Sequence, residues 1–244
     1  MDWSDEGIVL TARPYAESSA VLILLTREHG RHAGLVKGVT SPRMRGLLQP
    51  GNRLDATWSA RLSEHLGSFR VELRRSHAPD MFDDPLKLSG LAAAASIAER
   101  CLPEREPHLA VFEGFLALMT TMEQSDLGSA WIAAFVQWEL GLLAELGFGL
   151  DLGTCAVTGS NDDLTHVSPR SGRAVSASAA EPYIDRLLKL PDFLAGRGGG
   201  DTEDMLAGLA LTGHFLERHV LGAQNMEMPA ARARFVDRVR AVGS

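Results

Sequence analysis

The feature that most constrains this chain is a change of hydrophobic period near residue 80. Before it, short β-type runs are separated by turn residues: GIVLTARPY at 7–15, SAVLILLT at 19–26, RHAGLVKG at 31–38, NRLDATWSA at 52–60 and SFRVELRR at 68–75. Five such runs at this spacing predict a small β-barrel. In the first, Ile8, Leu10 and Ala12 are expected on one face and Val9, Thr11 and Arg13 on the other. In the last, Phe69, Val71 and Leu73 oppose Arg70, Glu72 and Arg74, the alternation of strands with one buried and one wet face. Gly30, in REHGR, suits a hairpin between the second and third strands.

After SHAPDMFDDP the apolar residues recur three and four apart. Helices are predicted over LKLSGLAAAASIAERCL, HLAVFEGFLALMTTMEQ and SAWIAAFVQWELGLLAELGF, with Trp131, Phe135, Trp138, Leu142 and Leu146 on one stripe. Pro103 and Pro107 separate the first two, and GFGLDLG ends the third. A further pair is expected at 203–222 and 229–242, with Pro229 in the first turn of the second. AGRGGGD at 195–201 reads as a flexible connector, and no internal repeat is evident. The expectation is an α+β multidomain chain. A barrel at 1–80 precedes a helical domain at 81–150, a loop or hairpin at 151–180, and C-terminal helices at 181–244 packing on the helical domain.

Charge divides the chain the same way. The formal net charge is -7, yet residues 1–80 hold 11 Lys and Arg against 9 Asp and Glu, and the remainder 13 against 22. A balance of +2 is far below that of a dedicated nucleic-acid binder, so any such affinity has to come from a local patch or a partner. LVKGVTSPRMRGLLQPG at 35–51 is such a patch: Lys37, Arg43 and Arg45 occur in it with no acid, in what reads as a mobile loop. MDWSDEGIVL has acids where a secretory segment needs Lys or Arg, and no apolar run approaches the roughly 18 residues of a membrane span. With two distant cysteines, Cys101 and Cys155, the chain reads as cytoplasmic with reduced thiols.

Catalytic chemistry finds no support. The Trp131–Leu146 stripe is expected core, GRGGG lacks the spacing of a phosphate loop, and HVSPRSG contains no G-x-S-x-G elbow. MFDDP at 81–85 reads as a turn and helix start. DLGTCAVTGSNDDLTHVSPRSGRAV resembles a metal ribbon with its ligands removed. A structural zinc site needs four N or S ligands, usually in close pairs, and the partner position after Cys155 is Thr158. Asp162, Asp163 and His166 are weak alternatives, so a metal-free loop, no cofactor and no enzymatic turnover are expected.

EGIVLTARPYAESSAVLILLTREHGRHAGLVKGV, the basic segment, LLQPGNRL and LGFGLDLGTCAVTG…LTHVSPRSGRAV together resemble the RecO family of bacterial recombination mediators over nearly the whole chain. The resemblance implies an N-terminal OB-fold, a helical domain, binding to single- and double-stranded DNA, strand annealing, and help in placing RecA on strands coated by single-strand-binding protein. It implies RecR and the tail of that coating protein as partners, and a cytoplasmic protein that joins the nucleoid during repair. Zinc-bearing members carry four cysteines where this chain keeps only Cys155, so zinc does not carry over.

An OB barrel holds single strands through a cationic face, often with aromatic stacking. The expected contacts are Lys37, Arg43, Arg45 and Arg53, with Arg13, Arg31, Arg70 and Arg74 extending the track. Aromatics in this part are few: Trp3, Tyr15, Trp58 and Phe69, the last expected in the core. Binding is therefore expected to be led by the phosphate backbone. The alternative is an adaptor whose barrel mainly holds a RecR-like partner, the complex contacting DNA. For the acidic tail of the coating protein, PAARARFVDRVRAV offers Arg232, Arg234, Arg238 and Arg240, with the groove between the central helices as an equal candidate.

Overall fold

Strand β1 is longer than its apolar run. It spans Asp2–Ala16, pairing antiparallel with β4 (Arg53–Ser59) from Asp2↔Ser59 to Ile8↔Arg53 and with β2 (Ser19–Thr26) from Gly7↔Thr26 to Ala16↔Ser19. The computed structural model describes residues 1–77, 81, 83–124, 128–198 and 200–243. Residues 78–80, Phe82 of the MFDDP turn and helix start, and Gly199 of the connector lie outside the described residues.

The other strands are β3 (Gly30–Lys37) and β5 (Ser68–Arg75). The hydrogen-bonded order β1-β2-β3-β5-β4 closes on itself, the last link being the single parallel pair Leu35↔Ser68, where the Leu35 amide donates to Gly67 O at 3.1 Å. Inside lie Val9, Leu22, Leu24, Val36, Leu54, Trp58 and Phe69. The alternation expected for β1 fails at one residue: between Val9 and Thr11 the register with β2 shifts. The bulge at Leu10 puts Val9 and Ala12 against the same core cluster, while Ile8 and Leu10 are buried as well. The strand is apolar on both faces because helix α2 (Pro85–Cys101) packs along it. Asp84 caps α2, accepting from the Leu86 and Lys87 amides, and a run of buried alanines allows close approach to the sheet.

Helix α3 (Leu109–Glu123) completes a compact unit, Met1–Glu123; the second is Gln124–Ser244. The packing boundary therefore falls some forty residues after the change of period at residue 80, roughly, because α2 and α3 belong with the strands. Gly30 fixes one junction in this unit. Its φ is 65°, and a Cβ there would stand 1.9 Å from the Glu106 carbonyl oxygen, so the segment before α3 crosses the β2–β3 hairpin at backbone contact.

The second unit is built on α4 (Trp131–Glu145), α6 (Thr202–Phe215, continued by a π-turn at Leu216–Leu221) and α7 (Ala230–Val242). Trp131, Phe135, Trp138 and Leu142 are buried as the stripe predicts, and Phe235 of α7 lies 5.6 Å from Trp131 and 4.8 Å from Phe135, ring centre to ring centre. On the same helix Glu139 is fully buried. Arg232 of α7 meets it with Nε to Oε1 at 2.7 Å and Nη2 to Oε2 at 2.8 Å, and also donates to Leu209 O at 2.8 Å. Between α4 and α6 the 151–180 segment contributes Leu164–Val167 (β6) and Ala174–Ser176 (β7), with the single turn α5 (Ala177–Ala180) after β7, and Leu188–Lys189 (β8) beyond it completes a sheet in the order β7-β6-β8.

In the β domain His32 is buried with neither ring nitrogen hydrogen-bonded among the described residues, packed edge-on to Trp3 and Trp58 at 5.0 and 4.8 Å. Burial, then the charges of Arg105 and His29, lower its pKa from 6.5 to about 4, against a smaller opposing effect of Glu104. The native state thus binds fewer protons than the unfolded chain between these values, so stability is lost as pH falls from 6.5 towards 4. His77, also lowered first by burial, acts in the same direction. Thermal melts should show a decline over that window that is shallower in His32→Leu; identical acid limbs would refute the assignment.

Candidate nucleic-acid interface

The basic segment is a helix rather than a mobile loop. Residues Pro42–Leu47 form α1, with Ser41 Oγ accepting from the Met44 amide at 3.2 Å and Pro42 at the first turn. Its C-terminal carbonyls are taken up by Asn52, whose Nδ2 donates to Gly46 O at 2.8 Å and Leu47 O at 3.0 Å, and by Gln49 Nε2 on Arg45 O at 3.0 Å. Asn52 is itself buried, and Ser76 Oγ donates to its Oδ1 at 2.8 Å. Met44, Leu47 and Leu48 root the helix in the β-core. Two exposed cations, Arg43 and Arg45, therefore stand on a pinned turn rather than a flexible chain.

Beside α1 lies a cleft of about 550 Å³, walled by Ala12 and Pro14 of β1, Ser19 of β2, and Val39, Arg45 and Gln49. Lys37, at the exposed end of β3, pairs in register with Ser19, so it stands at the same rim. Tyr15, 65% exposed, sits between the cleft residues Pro14 and Ala16 at the β1–β2 hairpin. One acid, Glu17, shares the wall.

The eight expected contacts separate by their partners. Arg13 is paired with Glu99. Arg31, 16% exposed, donates to Leu102 O at 2.7 Å and meets Glu104 at 3.3 Å. Arg53 is held by Glu6, and Arg74 by Asp55 at 2.8 Å with Glu6 at 3.7 Å. Among the described residues Lys37, Arg43, Arg45 and Arg70 form no ion pair. Arg70 lies elsewhere, in a depression of about 460 Å³ whose acidic walls are Asp5, Glu6, Asp55 and Glu72. The structure thus places Arg45 in the cleft wall and Lys37 opposite the wall residue Ser19, with Arg43 exposed on α1 but not lining the cleft, and leaves the other five outside it. Sequence reading had no means of seeing the neutralising carboxylates. Glu6 falls before the predicted start of β1, and Glu99 and Glu104 are remote in sequence.

In the second unit Arg232 is not a surface cation, since the buried Glu139 holds it. Arg234, Arg238 and Arg240 of α7 are exposed, and Arg240 meets Asp237 at 3.0 Å. Cys155 is buried. Burial raises its pKa, but hydrogen bonds from Ser176 and Thr158 outweigh that and bring it down to about 6. The Ser176 and Thr158 amides donate to its sulfur at 3.3 and 3.5 Å, with Ser176 Oγ at 3.4 Å. His166 is engaged with Thr165 at 2.9 Å, and among the described residues no three His, Cys, Asp or Glu side chains are placed to hold a metal ion. The donors around Cys155 are hydroxyl and amide groups, which do not fit a tetrahedral zinc set.

A closed five-stranded domain bearing a cleft with Arg45 in its wall, followed by helices and a small sheet, defines a mixed α+β protein. No described helix is long and apolar enough to cross a membrane. Residues 1–77 match the model for the N-terminal part of recombination protein O, and residues 83–227 the model for its C-terminal part. The DNA repair protein RecO of Rhodospirillum centenum is 54% identical over 242 residues, covering 98% of this chain and 95% of its own. That of Phenylobacterium zucineum is 50% identical over 244 residues, covering 100% and 99%. The chain belongs to the RecO family of DNA repair and recombination proteins.

If Asn52 is what pins α1, Asn52→Ala leaves two helix carbonyls and the Ser76 hydroxyl without their partner, a cost of about 1–3 kcal/mol. Limited trypsin digestion should then cut after Arg43 and Arg45 faster, on the order of tenfold, before the rest of the chain is attacked. Unchanged cleavage at both bonds would show that the helix is held by Met44, Leu47 and Leu48 alone.

Proposed function

We propose that this chain is a recombination mediator without enzymatic turnover. In this reading the closed five-stranded domain is an OB-fold that binds single- and double-stranded DNA at the α1 cleft. The protein anneals strands and helps load RecA onto DNA coated by single-strand-binding protein, with RecR as a partner. The observation that carries the reading is a cleft lined by Arg45, with Lys37 paired to its wall residue Ser19, Arg43 on the same short helix as Arg45 and Tyr15 beside it, the three cations exposed and free of ion pairs among the described residues. Mobile counterions on DNA are released when phosphates meet such cations, and an exposed ring adds sequence-tolerant stacking. For the acidic tail of the coating protein, the exposed arginines left on α7 are Arg234, Arg238 and Arg240.

A second reading, an adaptor whose β domain mainly holds a RecR-like protein, draws on the internal neutralisation of Arg13, Arg31, Arg53 and Arg74. One measurement separates the two. Replacing Lys37, Arg43 and Arg45 by Ala should weaken binding of the isolated protein to unrelated sequences alike. It should also flatten the salt slope by about 2 to 3 units, if each meets one phosphate. Unchanged affinity and slope would sink the mediator reading of this cleft; binding that needs RecR would favour the adaptor.

The same reading holds that the ribbon segment works without zinc, because the Cys155 thiol is engaged by Ser176 and Thr158. Elemental analysis of dialysed protein should find far less than one zinc per chain, and chelators should leave the melting temperature unchanged. One retained zinc per chain would refute it.

A further inference from the structure

In the acidic second unit one place combines an exposed ring with cations that have no carboxylate partner. Helix α4 ends at Gly147, whose φ is 85°; its amide donates to Ala144 O at 3.0 Å and the Phe148 amide to Leu143 O at 2.8 Å. This doubly bonded helix end sets Phe148 in one position. The ring is 38% exposed and stacks on His219 at 5.3 Å with planes 20° apart. His219 in turn stacks on the buried Phe215 at 5.8 Å and 10°. Three near-parallel rings thus form a column whose outer member faces solvent.

The charges around it come from two elements. His219 and Arg218 lie on the π-turn after α6, where Leu216 and Leu221 are buried and Arg218 is exposed. Such turns re-aim side chains relative to the helix before them. The hairpin between β6 and β7 reaches the same place: His214 Nε2 lies 3.1 Å from Pro169 O, and Gly172 packs near Leu150 and Phe215. Arg170, next to Pro169, is exposed. Among the described residues neither it nor Arg218 forms an ion pair, whereas Arg173 is paired with Asp151 at 3.3 Å. Glu217 is the acid on the same turn.

We propose that Phe148, Arg170 and Arg218 form a second contact for single-stranded nucleic acid, a base stacking on Phe148 and phosphates meeting the two arginines. A flat, supported ring with unpaired cations on the adjoining turn and hairpin suits a base better than an acidic peptide, whose carboxylates need charge but no π-face. The proposal rests on the DNA-binding reading above, and gives the second unit a strand of its own to hold.

The test uses the full-length chain and a labelled oligothymidylate. In the background of Lys37→Ala, Arg43→Ala and Arg45→Ala, residual binding should remain, and adding Arg170→Glu with Arg218→Glu should reduce it at least about tenfold. Phe148→Ala, an exposed position, should give a similar loss with an unchanged melting temperature. An oligonucleotide carrying iodouracil should crosslink to Phe148 on irradiation. If the wild-type chain binds oligothymidylate but the three alanine changes abolish binding, and no crosslink forms at Phe148, this proposal falls while the cleft reading stands. If wild type binds none, both fall. If a polyglutamate peptide is captured through Arg170 and Arg218 while oligonucleotide affinity is unaffected, the surface is a peptide site and the proposal is overturned.

Discussion

The β domain depends on one strand serving two neighbours. Over fifteen residues β1 gives its first half to β4 and its second half to β2, with the overlap at Gly7 and Ile8. A flat strand cannot lie along two partners that diverge; the bulge at Leu10 supplies the bend and added twist that let the ring close. The final link is only the pair Leu35↔Ser68, so closure rests on β1 and the packed interior rather than on a long β3–β5 ladder.

The same strand sorts the charges. Its N-terminal half brings Glu6, with its side chain 9% exposed, among Arg53, Arg74 and Arg27, at Oε distances that include 3.7 Å to Arg74 and 3.8 Å to Arg27. A nearly buried carboxylate is tolerated when several guanidinium groups surround it, and those groups are then committed to it. Lys37 and Arg45, which form no ion pair among the described residues, sit toward the other end of β1, near the hairpin it makes with β2. An acidic chain presents a local basic surface here by pairing Arg13, Arg53 and Arg74 with carboxylates while Lys37, Arg43 and Arg45 form no ion pair among the described residues. Asn52 bonds the last carbonyls of α1 and so fixes the turn that carries Arg43 and Arg45.

Strands β2 and β3 and the helices α2, α3 and α4 were legible because each is a run whose period matches its burial; β5 was legible as a strand, but of Phe69, Val71 and Leu73, expected on its buried face, Leu73 is 50% exposed. What escaped reading shares a cause: it depends on partners distant in sequence. Asp2-Trp3-Ser4-Asp5-Glu6 carries no strand signal of its own and is extended because β4 pairs with it. Ile8-Val9-Leu10 reads as simple alternation, yet a bulge and a covering helix bury all three. The basic segment reads as a loop from Gly38, Ser41 and Pro42, while its helix is made by a cap at one end and Asn52 at the other. Cation type and position were visible in the sequence; which cations stay unpaired was not.

The C-terminal arginines show how spacing alone can separate structural from surface roles. Arg232, Phe235 and Val239 recur three and four apart on α7, and all three are buried; Arg234 and Arg238 fall on the opposite side and are exposed. The apolar stripe thus continues through an arginine, and what makes that possible is Glu139 at the matching height of α4, with Thr212 also donating to it. Removing either charge alone leaves the other buried and unpaired, which is why such a pair constrains both helices more than its net energy suggests. Gly213 belongs to the same constraint: a Cβ there would lie 2.7 Å from the Arg232 Nη1, so α6 has to present bare backbone where the guanidinium passes. Three stretches far apart in sequence, at 139, 212–213 and 232, are therefore required together. The helical unit is specified by this polar contact within its core as much as by the aromatic stripe around it.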